Sequence, residues 1–210
     1  DKNVIDKPNI EIKDGKLSPE ALWSFGRIGE VSVSPDGKKV LYTLTYYSIS
    51  ENKGNAEIYT MNIDGSDVQR LTTTASSEWN VIWNPKGDKI GFIYADENGV
   101  NIYEMNPDGT GRTAISDLKE GDLEGFSYSP DGTKVVYVRA VPKQDKYAKL
   151  KEGLDKTTGR INDDLAYRHW DNWVDAIPQP FVADFDGKKI GEGKNILENM
   201  NKYVLFFEKE

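Results

Sequence analysis

The sequence contains no cysteine and a single histidine, His169. These absences exclude disulfides, thiol nucleophiles and cysteine-built zinc sites, and leave too few imidazoles for a histidine metal cluster. An oxidising compartment is permitted but not required. No apolar run approaches the ~18 residues that suggest a membrane span. The start Asp1-Lys2-Asn3-Val4 is not a leader peptide, so any leader is expected to have been removed. A cationic excess is also missing: 27 Lys and Arg against 35 Asp and Glu give a formal charge of −8. That balance opposes non-specific attraction to phosphate backbones or anionic lipid, and no nucleic-acid partner is expected.

What is present are aromatic residues and turn formers. Eleven Tyr, seven Phe and five Trp stand beside nineteen Gly and nine Pro, a composition suited to many short strands joined by tight turns. The organisation is repetitive. Ser34-Pro35-Asp36-Gly37-Lys38-Lys39-Val40-Leu41-Tyr42 recurs as Asn84-Pro85-Lys86-Gly87-Asp88-Lys89-Ile90-Gly91-Phe92 and as Ser129-Pro130-Asp131-Gly132-Thr133-Lys134-Val135-Val136-Tyr137, starting 50 and then 45 residues apart. The period is close to the ~40–50 residues of a four-stranded propeller blade. Each copy reads as a turn: Pro presets φ, Asp bonds back to its own backbone, and Gly accepts positive φ. A second repeat, Glu57-Ile58-Tyr59-Thr60-Met61 and Asn101-Ile102-Tyr103-Glu104-Met105, supplies a third strand 44 residues apart, ending in Asp64-Gly65 and Asp108-Gly109. Short outer strands follow at Val68 to Leu71 and Arg112 to Ile115.

The fold expected is therefore all-β: about three four-stranded blades of a β-propeller, an incomplete ring where closed propellers need four to eight. Residues 1–27 form an N-terminal extension in which Ser18-Pro19-Glu20-Ala21-Leu22-Trp23 is a capped helical turn plugging one end. Residues 28–197 form the partial propeller, with blades at about 28–73, 78–116 and 122–197. The third strand of blade three, Pro180 to Gly187, arrives 34 residues late, which places an insertion at about 141–177. It opens with Lys143, Lys146, Lys149 and Lys151 and ends with Tyr167-Arg168-His169-Trp170-Asp171-Asn172-Trp173. Residues 198–210 are a tail outside the repeat register. Three blades leave two raw edges, to be met by a second copy in a dimer of half-rings or covered by the tail.

With those residues in view, the chain resembles the amino-terminal propeller of prolyl oligopeptidase-family serine peptidases, on the branch of secreted bacterial dipeptidyl- and acylaminoacyl-peptidases. The resemblance runs from about Leu17 to Leu197. The Ser-Pro-Asp-Gly repeats are shared with Tol-system propellers; the Arg168-His169-Trp170-Asp171 segment is more discriminating. The resemblance implies a propeller that covers an α/β-hydrolase domain, screens peptides by size and helps to bind their ends. It implies a periplasmic or secreted location, with peptide substrate and hydrolase domain as partners. The nucleophile elbow Gly-x-Ser-x-Gly that such a hydrolase needs does not occur here, and His169 lies within the propeller region. A Ser-His-Asp triad cannot be assembled, so the chain by itself is expected to be inactive. The adjacent glutamates by which better-known dipeptidyl peptidases hold the substrate amino group are also missing, since no Glu-Glu pair occurs.

No catalytic, cofactor or metal residue is therefore expected. Arg168, His169, Trp170, Asp171 and Trp173 are the site candidates. Either they line the central cavity and meet peptide through aromatic surface and the Arg168 fork, or, the reading the residue types favour, they anchor the insertion, with Arg168 paired to Asp171 or a backbone carbonyl. Asp36, Asp64, Asp108, Asp131 and Asp186 read as turn residues, because Asp184-Phe185-Asp186-Gly187 lacks the spacing of a calcium loop. Gly191-Glu192-Gly193-Lys194 fails phosphate-loop spacing at Lys188. Trp23, Trp79, Trp83, Tyr42, Phe92 and Tyr137 are expected in the core. The leading function is the non-catalytic propeller of a serine exopeptidase; the alternative is a freestanding periplasmic Tol-type propeller that binds protein.

Overall fold

The structure, a computed structural model, describes residues 4–118, 123–143, 147–154, 156–161 and 168–198. Helix α1 (Pro19–Ser24) is the single α-helix among them, and Ser18 caps it by accepting the Ala21 N–H at 3.1 Å. Apart from two short 3-10 helices, Lys13–Gly15 and Ala148–Lys151, the other regular elements are strands. Blade one comprises β1 (Arg27–Val33), β2 (Lys39–Ser48), β3 (Lys53–Asn62) and β4 (Gln69–Arg70). Blade two comprises β5 (Glu78–Trp83), β6 (Ile90–Asp96), β7 (Gly99–Met105) and β8 (Thr113–Ala114). Blade three begins with β9 (Leu123–Tyr128) and β10 (Lys134–Pro142). It resumes, after a small hairpin of β11 (Arg168–His169) and β12 (Asn172–Trp173), with β13 (Ala176–Asp184) and β14 (Lys194–Asn195). Each blade is a four-stranded antiparallel meander.

The repeated turn explains the first hairpin of every blade. Gly37, Gly87 and Gly132 take φ of 72°, 74° and 70°, and their N–H groups donate to the carbonyls of Ser34, Asn84 and Ser129 at 2.8, 3.0 and 2.8 Å. That is a type I turn followed by a left-handed residue, which a Cβ would strain. The aspartates act within their turns. Asp36 accepts from Ser34 Oγ and the Lys38 N–H, Asp131 from Ser129 Oγ and the Thr133 N–H, and Asp186 from the Lys188 and Lys189 N–H groups. Hydrogen bonds from these donors hold all three carboxyls below the usual range, that of Asp131 at about 2.

Blades stack face to face, and blade two is buried on both sides. Ile90 and Phe92 of β6 pack with Leu41 and Ile58 of blade one. On the opposite face Ile93 and Ile102 pack with Phe126, Val135 and Tyr137 of blade three. Alternation along one strand therefore feeds two cores. Gly91 allows close approach: a Cβ there would lie 2.3 Å from Tyr128 Oη. Tyr42, Phe92 and Tyr137 are buried as expected, and so is Trp83, while Trp79 is half-buried. Trp23 corrects the expectation. It is 40% exposed, because α1 packs on blade one through Ala21 and Ser24 and leaves the indole at the surface beside Tyr47.

Each innermost strand carries an irregularity, and two of these carry a clasp to the next blade. The pairing of β1 shifts between Ile28 and Val31, and that of β5 between Trp79 and Ile82. Glu30, in the first bulge, accepts the N–H groups of Asn80 and Val81, both at 2.8 Å. Asn80, at the same place in blade two, donates to the Phe126 carbonyl at 2.9 Å and accepts the Phe126 N–H at 3.1 Å. The equivalent residue of blade three is Gly125, which has no side chain to continue the series.

Candidate functional site

Strand direction sorts the connections between two ends of the stack. The Pro-Gly and Asp-Gly turns lie at one end; the second hairpin of each blade and the blade-to-blade connections lie at the other. Variation is concentrated at the hairpin end. Blades one and two close that hairpin tightly, whereas in blade three Pro142 pairs with Ala176 and the Lys143 N–H donates to the Asp175 carbonyl at 2.8 Å. The insertion thus leaves and rejoins the sheet at one point. A long excursion from a rigid scaffold is where binding residues collect.

Within it, Arg168 pairs with Trp173 and His169 with Asn172 across the two-residue turn Trp170-Asp171. Trp170 sits at φ 53°, a conformation that favours Gly, and is 89% exposed. The turn thereby presents an indole to solvent. Trp173 is stacked by two cations, with the Arg160 and Arg168 guanidinium carbons 4.5 and 5.3 Å from its ring centroid. Arg160 also binds Asp175 at 2.6 Å, and Arg168 donates to the Asp171 carbonyl at 3.4 Å. Lys151, Leu154, Arg160 and Trp173 border an open hollow of about 650 Å³. The structure brings Arg168, Trp170, Asp171 and Trp173 into one hairpin; Tyr167 and the tail at 199–210 lie outside the described residues. In the extension, Arg27 sits over the Trp23–Tyr47 pair, 4.5 and 4.7 Å from their centroids, and the two rings border a cleft of about 480 Å³ together with Ile5, Ile10 and Ile49. Among the described residues no group of three or more His, Cys, Asp or Glu gathers to hold a metal, and no helix is long and apolar enough to cross a membrane.

A polar cluster between blades one and two was not singled out from the sequence. Glu57 and Glu78 are both buried, and Thr74 bridges them, its N–H donating to Glu57 and its hydroxyl to Glu78, each at 2.8 Å. Arg70 lies 3.4 Å from Glu57, and Arg112 lies 3.1 Å from Glu78. Burial pushes the Glu78 carboxyl up to about 7 against the opposing pull of Thr74, Arg112 and Thr72. Glu104, which accepts from Tyr128 Oη at 2.7 Å between blades two and three, is also raised by burial. Superposing the repeats reveals the signal: Glu57 stands where blade two has Asn101, and Glu78 where blade three has Leu123.

A family model described as "TolB beta propeller domain" matches residues 20–170. The chain belongs to that family. The propeller is 37% identical over 182 residues to dipeptidyl-peptidase 5 of Porphyromonas gingivalis and 34% identical over 182 residues to dipeptidyl-peptidase 5 of Porphyromonas endodontalis; each match takes 87% of this chain and 26% of the relative. The chain therefore spans about a quarter of the length of these curated relatives. Among solved structures, acylaminoacyl peptidase of Pyrococcus horikoshii superposes with a TM-score of 0.61 at 15% identity, over 82% of this chain and 25% of that one. At that identity the likeness concerns the fold.

Proposed function

We propose that this propeller is the non-catalytic part of a serine exopeptidase of the dipeptidyl- or acylaminoacyl-peptidase type, and that it gates and positions peptides for a hydrolase domain. The observation that carries the reading is the match to dipeptidyl-peptidase 5 along 87% of the chain and only 26% of the relative. The missing nucleophile elbow agrees with it. In this reading residues 28–197 are the partial propeller, the hairpin end faces the hydrolase, and the location is periplasmic or secreted. The Arg168 to Trp173 hairpin extends toward the peptide: Trp170 offers apolar surface, and Arg168 and Arg160, held against Trp173, offer guanidinium edges to a carboxylate. Trp170 and Asp171 form the turn, closed by the His169–Asn172 pair, that orients these groups.

Incubation of the purified chain with dipeptidyl reporter substrates tests the proposal. No hydrolysis is expected, and reading the gene past residue 210 should reveal a Gly-x-Ser-x-Gly elbow. Turnover blocked by a serine-directed reagent would overturn the assignment. A stop codon with no hydrolase following would favour the second reading, a freestanding propeller that binds protein, which the family match to a TolB-type domain supports.

A further inference from the structure

The repeats supply an internal control for the cluster between blades one and two. In blade two the Asn101 side chain accepts from Ser116 Oγ at 2.8 Å and from the Leu118 N–H at 2.7 Å, and Ser116 Oγ accepts the Ile102 N–H at 2.9 Å. Blade one repeats the design with Thr72 for Ser116 and Thr74 for Leu118. The Ile58 N–H donates to Thr72 Oγ1 and the Thr74 N–H to Glu57, both at 2.8 Å. A neutral amide has become a carboxylate, 2% exposed, whose Oε2 has no hydrogen-bond partner among the described residues. Arg70 stands in the outer strand where blade two has Ala114, and besides facing Glu57 it binds Asp6 at 2.5 Å. Glu78, at the start of β5, receives hydrogen bonds from Thr72 and Thr74 of blade one and from Arg112 of its own blade.

We propose that the joint between blades one and two is a pH-responsive latch, in which the buried Glu57 and Glu78, bridged by Thr74 and closed by Arg70 and Arg112, couple blade packing to the docking of the N-terminal extension through Asp6. A protonated Glu78 donates to the Thr74 hydroxyl, which then donates to the Ser76 carbonyl 2.7 Å away, and Glu57 is then the one carboxylate charge buried at the bridge. Loss of the proton places a second carboxylate beside Glu57 with the Glu78 side chain fully shielded from water, and separation of the blades hydrates it. Arg112 opposes this in part, but its guanidinium is committed to Tyr94, Phe92 and Tyr103, 3.9, 5.0 and 5.2 Å from their centroids. The titratable groups around the latch are Glu57 and Tyr59 from β3, Arg70 from β4, Tyr94 as the strand partner of Glu78, and Tyr103 from β7. Asp96 enters through Tyr103, Asp6 through Arg70, and Glu30 binds β5 two residues on. The burial that this geometry imposes raises the Glu78 carboxyl to about 7.

The sign follows from linkage. A carboxyl raised in the folded state stabilises the fold most at low pH and loses that contribution as pH rises from its ordinary 4.5 to about 7. The test is urea unfolding of the full chain in a His169→Asn background, which removes the one imidazole of the sequence. The folding equilibrium constant should fall by roughly twenty-five-fold between about pH 5.5 and pH 8. Glu78→Gln and Glu78→Leu, the latter copying blade three, should remove most of that dependence, whereas Glu104→Gln should retain it. Carbon-13 NMR of the Glu78 carboxyl needs no variant at position 78 and should give a midpoint near neutrality. Amide exchange at Ile5 in the extension should follow the same midpoint. A dependence that persists in both Glu78 variants, or a Glu78 midpoint near 4.5, would overturn the latch; an Ile5 amide indifferent to that midpoint would overturn its coupling to the extension.

Discussion

Two joints hold three blades together, and the same strands build them with different chemistry. At the joint of blades one and two, Glu57, Glu78, Arg70 and Arg112 surround the bridge, and Glu30 clasps the next bulge with a carboxylate. At the joint of blades two and three Asn101 and Leu123 take the places of Glu57 and Glu78, Ala114 at the repeat position of Arg70 packs toward blade one, and Asn80 makes the clasp with an amide. The apolar layers are alike on both sides, Phe92 with Leu41 and Ile58 at one joint and Tyr137 with Ile93 and Ile102 at the other. Apolar packing sets the shape of a joint, then, and polar substitution at a few repeat positions sets how it answers to solvent conditions.

The largest effects should be the same at both joints. Phe92→Ala and Tyr137→Ala remove equivalent rings, and each should cost about 3–5 kcal/mol in denaturant unfolding; a gap wider than about 2 kcal/mol would break the equivalence of the two cores. Gly91→Val acts on the second joint alone. Its side chain meets Tyr128, and overpacking should cost about 1–3 kcal/mol. Glu78→Leu sharpens the electrostatic contrast. At about pH 8 the variant should be more stable than the parent by about 2 kcal/mol, and at about pH 5.5 the difference should nearly vanish. Asn80→Ala removes both bonds to Phe126 and should cost about 1–2 kcal/mol. Smallest of all, Trp170→Ala on the exposed insertion hairpin should change stability by less than about 0.5 kcal/mol, a readout that separates the proposed peptide-binding hairpin from the scaffold.

How much of this was legible in the sequence depended on the range of the interaction. Ser34-Pro35-Asp36-Gly37 and its copies specify their turns within four residues, so strand order and the burial of Tyr42, Phe92 and Tyr137 could be read directly. The cap at Ser18 is equally local. Trp23 departs from the core expectation because Tyr47 and Arg27 cover only part of its indole at the edge of blade one, a fact of packing that its neighbours in sequence do not encode. The clasp from Glu30 to Asn80 and Val81 spans 50 and 51 residues, and Glu78 meets Arg112 across 34. Such pairs become visible only when one repeat is laid on another and a charged residue is found where its counterpart is neutral. The insertion was evident from its delay in the repeat, while the stacking of Arg160 and Arg168 on Trp173 depended on how Pro142 and Ala176 close it.

The contrast between the joints is tested most directly by native-state hydrogen exchange at two equivalent amides, Ile58 bonded to Thr72 and Ile102 bonded to Ser116. After correction for intrinsic exchange, protection of Ile58 should be greater at about pH 5.5 than at about pH 8, by a margin that Glu78→Gln abolishes, while Ile102 should change far less. Equal changes at the two amides, or an Ile58 response untouched by Glu78→Gln, would contradict the account.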